Sequence, residues 1–187
     1  MLPKRLRAIA LVTAGVAVAA GVSLYLLQNY IIYIPTIPGM SQYPRDNPTG
    51  YRSPEDRGIP YEETTLQTED GVKLSSWLMY QTERESVPTL VFYHENAGNI
   101  GYRLDFFEQL YKKLGVNVLA VSYRGYGNSE GRPSEPGIQK DAQAIMKYAF
   151  TEAKIDRSKV ILFGRSLGGA VAIYSLSAFP SYPVSVI

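Results

Sequence analysis

The chain has 187 residues, 45% of them hydrophobic and 19% charged, which suits one domain of ordinary size with an added apolar segment. Its formal net charge is +2. With Lys4, Arg5 and Arg7 set aside, 16 basic and 17 acidic residues remain, so no basic patch argues for nucleic acid. There is no cysteine, which excludes disulfides, thiol catalysis and thiolate metal sites.

The first element in chain order reads as a membrane anchor. A basic tail, residues 1–7, precedes an uncharged stretch, 8–34. About 20 apolar residues cross a bilayer core as a helix. Tyr25, Tyr30 and Tyr33 gather at the far end, where an aromatic belt sits, and Pro35 and Pro38 stop the helix. A cleaved signal peptide is the competing reading, with Ala17-Val18-Ala19 as its small-residue site, although the apolar run extends well past it. The positive residues lie in front of the span. The positive-inside rule then leaves the N-terminus in the cytoplasm and the remainder across the membrane, a single-pass type II arrangement.

Residues 35–60 are rich in Pro, Gly, Tyr, Asp and Arg and predict an irregular linker with turns at Asn47-Pro48 and Ser53-Pro54. From 61 to 187 the pattern is that of a folded domain. Residues 62–68 and 72–80 predict two strands joined by a hairpin turn at Glu69-Asp70-Gly71. Residues 89–93, 116–123 and 160–163 are short continuous apolar runs, as in buried parallel strands. Between them Leu104, Phe107, Tyr111 and Leu114 recur at helical spacing up to Gly115, and Ile138, Ala142, Ile145 and Ala149 form a second stripe. Residues 167–178 predict a third helix and 183–187 a last strand. Strands alternating with helices predict an α/β fold, a mostly parallel sheet with flanking helices, whose functional loops lie at the carboxyl ends of the strands.

Those loops carry the chemistry. Gly164-Arg165-Ser166-Leu167-Gly168 fits G-x-S-x-G and falls between a predicted buried strand and a predicted helix, the context of a nucleophile elbow. Such a turn strains the backbone, so its neighbours must be small; Gly164, Gly168 and Gly169 meet that need. A helix opening at Leu167 aims free N–H groups and its positive end at the site, which makes the Leu167 N–H one oxyanion donor. The loop His94-Glu95-Asn96-Ala97-Gly98-Asn99 resembles the oxyanion loop after the third strand of α/β-hydrolases. By similarity to H-G-x loops the second donor is the Asn96 N–H, with Glu95 standing where Gly is usual. His94, the only histidine, reads as a supporting residue of this loop; a Ser–His dyad is the alternative. The triad order Ser, Asp/Glu, His asks for an acid and a base after the serine, and none of the 21 residues after Ser166 is Asp, Glu or His. The loop 124–131 fails the dinucleotide pattern because Glu130 stands where Gly is needed, and Gly168-Gly169 fails the Walker A pattern. The former reads as a tight structural turn. Asp105, Asp141 and Asp156 fall on or beside helices and are expected to be solvated. No spacing of His and carboxylates suggests a metal site, and no cofactor is expected.

These stretches, with 28–35, 68–74, 94–101, 123–131 and 164–173 in order, resemble the membrane-anchored α/β-hydrolases of the fungal bud-emergence type and their animal abhydrolase-domain relatives. The resemblance implies a serine hydrolase of acyl esters or thioesters, palmitoyl-protein thioesters included. It also implies a membrane and an acylated, even lipidated-protein, substrate as partners. Residence in the endoplasmic reticulum, other endomembranes or the plasma membrane follows from the same likeness. The family continues beyond position 187 with an acid and a His, so the resemblance implies a C-terminally truncated copy with little turnover. A catalytically inactive membrane-tethered binding protein and a fragment without function stand beside this reading.

Overall fold

The computed structural model describes residues 3–151 and 153–187. They fall into two units, one ending at Tyr33 and the other running from Ile34 to Ile187. The first is a single helix, α1 (Lys4–Ile32), with no buried residue. Its 29 residues extend about 43 Å at the usual rise, longer than a bilayer's hydrocarbon core. It is long and apolar enough to cross a membrane. The Thr13 hydroxyl donates to the Ile9 carbonyl at 2.9 Å, which satisfies this polar group inside the helix.

The second unit is built on a six-stranded sheet. Its strands are β1 (Tyr61–Gln67), β2 (Lys73–Met79), β3 (Thr89–Tyr93), β4 (Asn117–Val121), β5 (Val160–Gly164) and β6 (Val184–Val186), in the order β1-β2-β4-β3-β5-β6. The β1–β2 hairpin and the β2–β4 pair are antiparallel; β4, β3, β5 and β6 run parallel. Every residue of β3 and β4 is buried; both are apolar after their first residues, Thr89 and Asn117, whose side chains bond to each other at 3.0 Å. β1 lies one residue earlier than the sequence predicts and β2 is one residue shorter at each end, because Thr68 leaves the ladder to close the turn. Its Oγ1 accepts the Val72 N–H at 3.0 Å and donates to Asp70 Oδ1 at 2.6 Å, while Gly71 takes φ 83°.

Three helices flank the sheet: α2 (Leu104–Leu114), α3 (Glu135–Thr151) and α4 (Leu167–Ala178). Between α2 and the sheet lies a core that includes Trp77, Leu90, Phe92, Phe107 and Val118. α2 buries Leu104, Phe107 and Leu110. Leu114, expected on the same stripe, is instead 65% exposed, because the helix ends there and Gly115 (φ 63°) turns the chain away.

The segment 35–60, expected as an irregular linker, belongs to the second unit and carries two 3-10 turns, Pro44–Asp46 and Pro54–Arg57. Each begins with a proline, whose fixed φ suits a first helical position. The segment is held down rather than free. Ile59 joins the core at 1% exposure, and the Arg57 guanidinium pairs with Asp105 (2.7 Å) and Glu108 (3.0 Å) at the start of α2.

Candidate active site

β5 ends at Gly164 and α4 begins at Leu167, so Arg165 and Ser166 make the whole reversal. Ser166 sits at φ 54°, ψ −120°, the one non-glycine residue with positive φ among the described residues. An L-residue there is strained by about 1–3 kcal/mol and stays only where its surroundings fix it. Three backbone hydrogen bonds do so. Arg165 N–H donates to Tyr93 O (3.3 Å), Gly168 N–H to Arg165 O (3.0 Å) and Gly169 N–H to Ser166 O (2.9 Å). A Cβ on Gly164 would lie 2.2 Å from the Gly168 carbonyl oxygen, and one on Gly168 1.9 Å from that of Tyr93. Both positions therefore need glycine, as the motif implies. Gly169 does not: a Cβ there would meet only the Gly164 oxygen, at 3.8 Å. Ser166 is exposed, and its hydroxyl makes no hydrogen bond among the described residues. The Leu167 N–H, first of α4, likewise has no partner among them.

β3 lies beside β5, with Tyr93 in register with Gly164, so the loop 94–99 leaves the sheet at the same edge as the elbow. Asn96 is anchored by its side chain: Oδ1 accepts the Tyr126 hydroxyl at 2.8 Å and the Ile34 N–H at 3.2 Å. Glu95, in the place usually held by Gly, ties the loop to the elbow. Its carboxylate pairs with Arg103 Nε (3.0 Å) and with Arg165 Nη1 (3.2 Å), the residue before Ser166. Burial opposes its ionisation, but its own backbone N–H and the two arginines outweigh that and hold its carboxyl below the usual range. Arg103 also donates to the carbonyls of Asn99 (2.6 Å) and Ala97.

His94 is 1% exposed and lies against the Tyr123 ring, 3.9 Å between centroids. Its Nε2 accepts the Tyr123 N–H at 3.1 Å, so the proton sits on Nδ1, which donates to the Glu95 carbonyl at 2.7 Å. Burial pushes its pKa down to about 3 and keeps the ring neutral. With both nitrogens engaged, His94 has no lone pair to offer the Ser166 hydroxyl.

The loop 124–131 turns through Gly125, Gly127 and Gly131, all at positive φ. Asp141, expected in solvent, is instead fully buried beneath this loop. Its carboxylate accepts the Arg124 N–H and Nε–H, both at 2.8 Å, while the other side of the guanidinium forks onto Asp70 at 2.9 and 3.0 Å. Burial, partly offset by Arg124, pushes the Asp141 carboxyl up to about 6. Hydrogen bonds from Arg124 and Thr68 hold that of Asp70 well below the usual range. Asp141 shares the inward face of α3 with Ile138 and Ile145, a spacing visible in the sequence. Asp105 is exposed as expected; Asp156 is partly buried, accepting from Ser158 and pairing with Lys159 at 3.0 Å. Among the described residues no group of three His, Asp or Glu could hold a metal ion. A groove of about 1020 Å³ between β1, α3 and α4, lined by Lys140, Lys147 and Tyr182 among others, takes no residue from the elbow or the 94–99 loop.

Residues 88–183 match the alpha/beta hydrolase fold family. The chain belongs to the α/β-hydrolases. Like the sequence pattern, the hydrolase fold with its mixed sheet and flanking helices agrees with the architecture above. The chain is 40% identical to protein bem46 of Schizosaccharomyces pombe over 151 residues, 80% of this chain and 48% of that protein. It is 40% identical to the membrane protein YNL320W of Saccharomyces cerevisiae over 171 residues, 91% of this chain and 55% of that protein. The resemblance to the bud-emergence type is thereby established. Among solved structures, the Pyrococcus furiosus esterase Pf2001 superimposes with a TM-score of 0.60 at 28% identity, covering 77% of this chain and 53% of the esterase. The chain spans about half the length of the curated relatives it matches.

Proposed function

We propose that this α/β-hydrolase is a membrane-anchored serine hydrolase of acyl esters or thioesters, with Ser166 as nucleophile. The observation that carries the reading is the strained Ser166 backbone, held between β5 and the N-terminus of α4. Ser166 Oγ attacks the acyl carbonyl carbon, the carbonyl electron pair moves to oxygen, and the tetrahedral adduct then expels the alcohol or thiol. The N–H groups of Leu167 and Asn96 stabilise the oxyanion; one such donor is worth about 3 kcal/mol. The Oγ proton needs a base. His94 is engaged on both nitrogens, and no Asp, Glu or His follows Ser166 in these residues.

α1, with Lys4, Arg5 and Arg7 gathered at its N-terminal end, supports a single-pass anchor with the N-terminus cytoplasmic. The related YNL320W is named a membrane protein, which agrees with residence in an endomembrane or the plasma membrane. A substrate whose acyl chain is itself lipid-like, such as a palmitoylated protein, is presented at the surface where such an anchor holds the domain.

The test uses the full chain in detergent micelles with a fluorophosphonate probe and added imidazole in place of a base. Labelling confined to Ser166, accelerated by imidazole and lost in Ser166→Ala, is the expected result. A chain that unfolds cooperatively yet takes no imidazole-dependent label at Ser166 overturns the reading in favour of a membrane-tethered binding protein.

A further inference from the structure

We infer that the segment 34–51 is the brace that positions the oxyanion loop, with Asn47 and Asn99 as its positioning residues. The inference rests on reading 94–99 as that loop. Asn47 and Asn99 are 1% and 2% exposed, and their amides bond reciprocally: each Nδ2 donates to the other's Oδ1 at 2.9 Å. The second Asn47 proton goes to the Tyr51 carbonyl (2.8 Å) and the second Asn99 proton to that of Ser41 (2.9 Å). Asn99 Oδ1 also accepts the Gly101 N–H at 2.9 Å. All four amide protons are thus used, which leaves one orientation for the pair; a buried donor without its partner would be unfavourable.

The brace also grips the middle of the loop. Ile34 pairs with Ala97 as a parallel bridge, and its N–H meets the Asn96 side chain. Just past Asn99 the fit is tight. A Cβ on Gly101 would lie 2.2 Å from the Tyr51 carbonyl oxygen and 2.5 Å from the Asn47 amide nitrogen. Gly101 is not at positive φ, so the close approach of the brace, and not backbone freedom, demands glycine there. An oxyanion donor acts only when held near 3 Å from the developing charge, so whatever fixes the loop's path sets the donor's strength. Here the segment before the sheet, 52 positions from Asn99 in sequence, fixes that path.

The experiment compares the full chain in detergent micelles with Asn47→Ala and Gly101→Ala by amide hydrogen exchange and by imidazole-dependent fluorophosphonate labelling. Exchange over 94–101 rises about tenfold in both variants while β3, β4 and β5 keep their protection. Labelling of Ser166 slows by about tenfold over the same comparison. Unchanged exchange over 94–101, or a uniform rise across the whole sheet, overturns the brace. Faster exchange with unchanged labelling overturns its role in positioning the donor. Absence of label in the unsubstituted chain sinks the hydrolase reading instead, and the exchange comparison still decides whether 34–51 holds the loop.

Discussion

Replacing His94 by glutamine removes a titration that works against the fold in acid. The ring's pKa falls from its ordinary 6.5 to about 3 in the folded chain because burial disfavours the charged form. Below pH 6.5 the unfolded chain takes up a proton that the folded chain refuses until about pH 3, so stability drops as pH falls through that window. Between pH 6.5 and 4.5 the loss is about 2.3 kcal/mol, at ~1.36 kcal/mol per unit with rounding near the midpoint. Asp141 works the other way. Its folded pKa of about 6 lies above the ordinary 3.8, so the fold gains as pH falls across that range. That contribution is common to both proteins and cancels in their difference. Glutamine keeps an oxygen that accepts the Tyr123 N–H in place of Nε2 and cannot titrate. The assay is urea unfolding of the full chain in micelles, read by Trp77, the chain's one tryptophan and 3% exposed. The stability advantage of the natural chain over His94→Gln should shrink by about 2.3 kcal/mol from pH 6.5 to 4.5. A gap that stays constant refutes the buried neutral ring.

Ser166→Gly relieves the strained φ 54° position of the elbow and should raise stability by about 1 kcal/mol in the same assay while abolishing fluorophosphonate labelling; no gain would mean the φ 54° conformation is not retained in solution. Asp141→Ala leaves one face of the buried Arg124 guanidinium unpaired and should lower stability by about 3 kcal/mol at pH 7.5. A loss under about 0.5 kcal/mol would show that Asp70 alone satisfies Arg124.

The parts of the fold that were legible in the sequence are those where the signal is local. β3 coincides with its apolar run, 89–93, because a strand buried on both faces leaves no polar position to blur its ends. The elbow was legible because strain confines its neighbours to glycine at fixed offsets, which writes geometry into spacing. Asp141 departs from the solvated position its charge predicts, because its spacing from Ile138 and Ile145 puts it on the inner face of α3. The segment 35–60 looked like a linker because Pro, Gly and Tyr describe its backbone, not its partners. Those partners, Asn99, Gly101 and Glu108, lie about fifty positions further along, where composition carries no trace of the pairing.

The two borders of the sheet differ in a way that bears on handling this polypeptide. β1, at one border, exposes Glu62 and Glu63, charges that discourage a foreign strand from docking. β6, at the other, is a Val-Ser-Val segment paired on one side with β5 and followed by a 71%-exposed Ile187. In a preparation of these 187 residues alone, β6 is the border at which copies would pair. A lysine in place of the exposed Ser185 there should keep the protein dispersed at concentrations where the natural chain precipitates.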